Sequence, residues 1–443
     1  MLRICAGLPR GLNDKLRFEP LIMTRFSLLP LACACALGIA PACDDAASGA
    51  GRTSSASSSS SASAASTASA AASATADVDS EATPVAPDAV ADLVLGGDHS
   101  FVLYGDGTVK AWGDNSDSAL GFGKKKQRQV RPKRVPLLKY VRQIDTGEHH
   151  SCAAYADGLA RCWGRNFGGA LGDGTSRDNS LPTAVAEIRG VLEVRVAGKH
   201  SCARLAKGDV RCWGRVVKGS NRKPVDVPGL SKVTGLSLGV DRACAWHGDG
   251  KASCWGLAIG LKYDPKDAKD GGDGNLKASA QSVPKLADLD RMVLSRTHAC
   301  VLHRDATVSC WGFGSRGQLG DGKHGANHHL LEPTKVAGLD KVAQVAVGDG
   351  FSCARLTDGT VRCWGDNVWG QLGLGDKRRR LEPTAVPGLE NVRMVAAGTG
   401  HVCALGKDDA LWCWGKNLDG QLGNGMAGIQ ASMKKPTAVD HRK

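Results

Sequence analysis

From residue 91 onward the chain repeats one pattern of short apolar runs. In the last copy a stretch ending in glycine, VRMVAAG (392–398), is followed by HVCALG, a turn, ALWCWG, a glycine-rich loop and Pro436-x-x-Val439. Runs of four to seven residues rich in Val, Ala, Cys and Trp, bounded by Gly, Asp and Pro, predict short strands. The tryptophan of the third run recurs as Trp112, Trp163, Trp213, Trp255, Trp311, Trp364 and Trp414, at intervals of 51, 50, 42, 56, 53 and 50 residues. Four short strands per ~50 residues, seven times over, predict an all-β fold, a seven-bladed β-propeller filling residues 91–443. Closing the ring removes the hazard of exposed sheet edges. Each Pro-x-x-Val stretch leads into the next glycine-ended strand, so the last one is expected to pair with residues 91–97 and lock both ends into one blade.

The wording of the copies is specific. GDNVWGQLGLGD (365–376), GKNLDGQLGNG (415–425) and GFGSRGQLGDG (312–322), followed by PTxVxGL and VAxGxxHxCAL, resemble the repeats of the regulator of chromosome condensation family, and the resemblance runs through all seven units. It implies a seven-bladed propeller. The functions it implies are diverse: nucleotide exchange on a small GTPase, ultraviolet sensing in plants, and β-lactamase inhibition by a secreted bacterial member. Fold therefore leaves function open.

Six units carry two cysteines ten residues apart: Cys152 and Cys162, Cys202 and Cys212, Cys244 and Cys254, Cys300 and Cys310, Cys353 and Cys363, Cys403 and Cys413. Around Thr357-Asp358-Gly359, a three-residue loop with Gly in the left-handed position sets Cys353 opposite Cys363. Opposed residues of antiparallel strands are close enough for a disulfide. The competing reading is two small buried core residues. The array discriminates between them, because the first unit has neither cysteine, carrying Phe101 and Ala111, and no unit has one alone. Independent core positions would sometimes lose a single cysteine, whereas bonded partners are kept or lost together. No CxxC metal spacing occurs in the array.

The first ninety residues differ in kind. Residues 1–22 are polar and mixed, and read as an upstream mis-start before Met23. MTRFSLLPLACACALGIAPAC (23–43) has a lone Arg25, an apolar run from Phe26 and a small-residue approach to Cys43, the pattern of a secretory signal. Ala40-Pro41-Ala42-Cys43 resembles a bacterial lipoprotein signal, which would leave Cys43 lipidated, although Ala40 stands where leucine is usual. Ordinary cleavage nearby and a retained anchor are the alternatives. Residues 44–90, centred on SSASSSSSASAASTASAAASATA, lack apolar side chains to bury and read as a flexible linker. The expected location is exported, either lipid-anchored in the cell envelope or secreted, and disulfides suit it.

Charge supplies the functional hint. Residues 1–90 hold 6 of the 57 basic and 8 of the 44 acidic residues, leaving 51 against 36 on the propeller. Lys124, Lys125, Lys126, Arg128, Arg131, Lys133 and Arg134, then Lys218, Arg222 and Lys223, then Lys377, Arg378, Arg379 and Arg380, then Lys434 and Lys435, occupy equivalent places before the Pro-x-x-Val strand. Equivalent loops gather on one face, giving a field that attracts polyanions; solvated loops are the bland reading.

Other candidates are weaker. His99, His150, His200, His298 and His401 share one position, where Arg242 and Phe351 stand in the remaining units, so a hydrogen-bonding role is favoured over a metal ring. His324, His328 and His329 form a loop cluster, and Asp264, Asp267, Asp270 and Asp273 lack EF-hand spacing. The seven recurring tryptophans predict packing between blades, and Trp369 is the one expected at the surface. No G-x-S-x-G, P-loop or H-E-x-x-H is present. These features predict a monomeric binding module without catalysis or cofactor. Its partner is a protein or an anionic envelope polymer, with nucleic acid less favoured and the membrane met only through a lipid anchor. A glycan-active hydrolase or lyase at the axial mouth and a secreted enzyme inhibitor are the alternatives.

Overall fold

The computed structural model describes residues 86–123, 128–215, 220–256 and 277–442. The expectations for residues 1–85, Cys43 included, lie outside the described residues, as do Lys124, Lys125, Lys126, Lys218 and the four aspartates at 264–273.

Seven four-stranded antiparallel sheets form a seven-bladed propeller. The first blade contains Val90–Leu95, His99–Tyr104, Val109–Gly113 and Gln129–Arg134, and the seventh contains Val392–Ala397, His401–Gly406, Leu411–Gly415 and Met433–Val439. Each sheet is one sequence unit, so the expected pairing of the C-terminal stretch with residues 91–97 does not occur. Met433–Val439 pairs with Leu411–Gly415 of its own unit, and Val90–Leu95 with His99–Tyr104. The glycine-rich loop is long enough to return the fourth strand along the free edge of the third.

The ring instead closes through side chains. Val90, Leu93, Leu95 and Trp112 pack with Met394, Leu405, Leu411, Leu422 and Val439. Arg393 donates to Val90 O at 2.7 Å and pairs with Asp409. The residues after the last strand fasten the seam, since Tyr104 Oη and Lys110 Nζ donate to His441 O at 2.8 and 2.7 Å. On the outer strands a proline sits at 132, 182, 224, 333, 383 and 436, with Ala280 in its place in the fourth blade. A proline there removes a ladder donor from an edge that could recruit another chain.

The cysteine pairs lie in register, Cys353 against Cys363, and all six form disulfides with Cα atoms 4.0–4.1 Å apart. Phe101 faces Ala111 in the first blade. The neighbouring tryptophan points the other way, into the preceding blade. Trp112, Trp163, Trp213, Trp364 and Trp414 Nε1 donate to the carbonyls of Gln421, Ala119, Ala170, Gln318 and Gln371 at 2.7–2.9 Å. Those carbonyls belong to the glycine-rich loops, which explains their composition. Gly423 has φ +68°, and a Cβ there would lie 2.8 Å from Trp112 Nε1. The loop then reaches the next blade's outer strand, as Gly375 N donates to Lys434 O at 2.8 Å.

The recurring histidines complete this seam. Ser201 Oγ donates to Ala170 O at 3.1 Å and receives His150 Nε2 at 2.9 Å; Ser352 serves Gln318 O and His298 in the same way. His99 reaches Ser151 through Thr146, at 2.5 and 2.7 Å. A serine hydroxyl has one proton, spent on the carbonyl, so the imidazole Nε2 carries the other. Substitutions fall in matched pairs. Phe351 precedes Val402 across the seam, and Arg242 precedes Ala299, donating to Ser295 O at 3.2 Å. One seam is mismatched: His200 faces Ala243, and both His200 Nε2 and Trp255 Nε1 are buried with no hydrogen-bond partner among the described residues.

Candidate functional site

Two places could do work, the axis and the loop face. Around the axis the first strands of all seven blades enclose a cavity of about 250 Å³. Its polar side chains mostly tie one blade to the next. Asp145 Oδ2 accepts from Val196 N at 2.7 Å, Gln143 and Gln344 Oε1 from Val194 N and Val395 N at 3.0 Å, and Ser237 Oγ from Leu294 N at 3.0 Å. These bonds satisfy main-chain donors on the otherwise bare inner edges of the third, fifth and seventh blades.

Burial raises the Asp92 carboxyl to about 7 and that of Asp145 to about 6, against the opposing pull of the Arg195 guanidinium. Asp92 Oδ1 accepts from Leu93 N at 2.8 Å. Glu193 holds Arg195 at 2.8 Å and Arg204 at 3.1 Å. Over the loop-side mouth, Arg296 of the fifth blade pairs with Glu148 of the second and lies 3.9 Å from Asp349 of the sixth. These carboxylates hold main chain and guanidinium groups.

The loop face follows from topology. Loops joining first to second and third to fourth strands emerge on one side, and the tight second-to-third turns and the links between blades on the other. Arg134 closes the first blade's fourth strand opposite Lys110, at the turn end; the other described basic residues singled out above lie in the third-to-fourth loops or along the fourth strands that follow them, and the structure sorts them. Arg128 donates to Leu418 O at 3.2 Å and lies 3.7 Å from Asp419, while Lys133 Nζ stands 5.7 Å above the Phe122 ring. Lys223 pairs with Glu187 at 2.5 Å on the third blade, beside exposed Arg222. Arg380 folds back to Asp376 at 2.8 Å and to Arg378 O at 2.7 Å. Lys377, Arg378 and Arg379 stand exposed, and among the described residues their side chains have no ion pair.

These groups share a contiguous sector. The sixth blade's loop packs on Lys434 at Gly370 and on Lys435 at Gly375, and the seventh blade's loop packs on the Arg131 guanidinium at Gly425. Lys377–Arg379, Lys434–Lys435 and Arg131 therefore form a basic arc over the sixth, seventh and first blades. Three acids nearby are engaged, Asp366 with Arg316 at 2.8 Å, Asp98 with Lys416 at 2.8 Å, and Asp376 with Arg380, while Glu382 on the same strand as Arg380 is exposed. The net field of the arc is positive.

Sequence reasoning missed the apolar groups on the same face. Val368 is 54%, Met426 44% and Ile429 74% exposed, whereas Trp369, expected at the surface, is half-buried beside Gly400. The signal was faint: Val368 and Phe167 are apolar residues following the buried Asn367 and Asn166 in these loops. The loop histidines diverge, His328 lying 2.9 Å from Asp321 while His329 Nδ1 donates to Asn327 O at 3.0 Å. No group of three or more potential metal ligands occurs among the described residues.

Two profiles of the Regulator of chromosome condensation (RCC1) repeat match the chain, one at residues 106–154, 157–204, 305–355 and 358–405, the other at 90–118, 141–169, 342–371 and 392–421. The chain belongs to the RCC1 repeat family. Among relatives, the E3 ubiquitin-protein ligase HERC2 of Homo sapiens is 30% identical over 311 residues, 67% of this chain but 5% of HERC2. Protein pim1 of Schizosaccharomyces pombe is 26% identical over 331 residues, covering 65% of this chain and 61% of pim1. The chain thus spans a small part of the first relative and less than two thirds of the second. The RCC1 fold itself is matched by the crystal structure of Prp20p from Saccharomyces cerevisiae, with 20% identity, TM-score 0.67, and coverage of 80% of this chain and 88% of Prp20p.

Proposed function

We propose that this RCC1 repeat chain is an exported, membrane-tethered binding module, without catalysis, that takes a protein or an anionic envelope polymer on its loop face. The observation that carries the reading is the exposed trio Lys377, Arg378 and Arg379, without an ion pair among the described residues, beside Asp366, Asp376 and Asp98, which already have partners. Arg128, Arg131 and Arg380 border it, while Lys124, Lys125 and Lys126 lie outside the described residues. Six disulfides support export, since such bonds persist outside reducing compartments. The leader ending at Cys43 supports a lipid tether. The Prp20p structure was described with that protein's binding to Gsp1p and histones, and another structure holds Kap60 bound to yeast RCC1, which supports a protein partner.

The test is binding of the full chain to poly-L-glutamate at low and high salt, compared with Lys377→Glu/Arg378→Glu/Arg379→Glu. Binding should weaken at least tenfold in the variant and fall with salt, because exposed charges are screened beyond ~10 Å at 0.1 M. Binding indifferent to both changes would overturn the reading.

A further inference from the structure

A bare polyanion needs only charge, yet the basic arc is bordered by apolar groups that water should not favour. Val368 and Trp369 lie in the loop that carries Lys377–Arg379. Trp369 lies beside Gly400 of the seventh blade, and the next residue, Gly370, packs on Lys434. On the seventh blade itself, Met426 and Ile429 belong to the loop that runs directly into Lys434 and Lys435. The basic groups Lys377–Arg379 and Lys434–Lys435 thus share their loops with the exposed apolar residues Val368 and Ile429.

The opposite face supplies a contrast. Its exposed large apolar residues, Leu137 and Tyr140, sit in the link between the first and second blades. The turns there carry aspartates that bind their own main chain, as Asp106 Oδ1 accepts from Thr108 N at 2.8 Å and Asp358 Oδ1 from Thr360 N at 2.8 Å. The acidic turns and the basic arc lie on opposite sides of the ring.

We propose that the sixth and seventh blades form a docking strip for an acidic protein segment with interspersed large apolar side chains. The proposal rests on the binding-module reading above and narrows it from any polyanion to a polypeptide. Carboxylates of the segment would pair with Lys377, Arg378, Arg379, Lys434 and Lys435, and its apolar side chains would cover Val368 and Ile429. Charge sets the rate and orientation of such an encounter, and burial of a few apolar anchors sets its lifetime.

The experiment titrates the full chain with two peptides of equal length and charge, one alternating Glu with Leu, the other alternating Glu with Ser. The Leu peptide should bind about tenfold more tightly, and Val368→Ser/Ile429→Ser should abolish that difference while Tyr140→Ser, on the other face, preserves it. Equal binding of both peptides, each weakened by charge reversal at 377–379, overturns the strip and leaves the polyanion reading standing. A Leu preference that survives Val368→Ser/Ile429→Ser also overturns the strip. Failure of both peptides and of poly-L-glutamate to bind overturns the strip and the binding-module reading together.

Discussion

His401 Nε2 lies 3.0 Å from Ser100 Oγ, 301 residues earlier in the chain, and the serine passes its own proton to Gln421 O at 2.9 Å. This contact joins the seventh blade to the first. Trp112 Nε1 donates to the same carbonyl at 2.9 Å, so one main-chain oxygen collects two donors from across the closing seam.

The array provides the control, because Phe351 and Val402 occupy the same two places in the preceding seam. Ser100→Val alone strands a buried imidazole donor and should cost ~1 to 3 kcal/mol. His401→Phe with Ser100→Val should cost less than the sum of the two single changes, read as denaturation midpoints. Strict additivity would show that the two side chains do not act as a pair.

The mismatched seam predicts a gain. Ala243→Ser places a hydroxyl where the other histidine seams have one, facing His200 Nε2, which has no hydrogen-bond partner among the described residues. Stability should rise by about 1 kcal/mol, the usual net worth of a hydrogen bond. An unchanged or lowered midpoint would mean that His200 is not waiting for that partner.

Burial holds His150, His200, His298 and His401 down to about 3 and His99 to about 4. Each is neutral in the fold and binds a proton on unfolding below its ordinary value of ~6.5, so stability is complete above that pH and is lost as pH falls toward 3. Asp92 and Asp145 oppose this, because their raised carboxyls keep protons in the folded chain between about 4 and 7. Five histidines outweigh two aspartates, and the midpoint should drop steeply from pH 6.5 to 5. The His401→Phe/Ser100→Val variant should lose less over that range than the parent, and an equal loss would contradict the assignment.

Much of this was legible because repetition supplies comparisons within one chain. Seven copies of Trp-Gly set the period, and the joint absence of both cysteines at Phe101 and Ala111 marked the others as pairs. The histidines read as structural because Arg242 and Phe351 interrupt them. Their partner, the serine one residue later in the next copy, was equally readable, since it is lost at Ala243, Ala299 and Val402. The partner of the Pro436 stretch was not legible, because the order of strands is the same whether a fourth strand pairs within its unit or with the next. Nor was the exposure of Val368 and Ile429, because they come from loops of different blades whose packing the sequence does not show.

The central claim, an exported and disulfide-stapled ring tethered at Cys43, is tested most directly by the intact mass of the protein isolated from the envelope of its own cells, alkylated before and after reduction. The account predicts a chain starting at a lipid-bearing Cys43, with no alkylation of the array cysteines before reduction and twelve sites, two per disulfide, after reduction and unfolding. Twelve alkylated array cysteines before reduction, on a chain retaining residues 1–42, would contradict it.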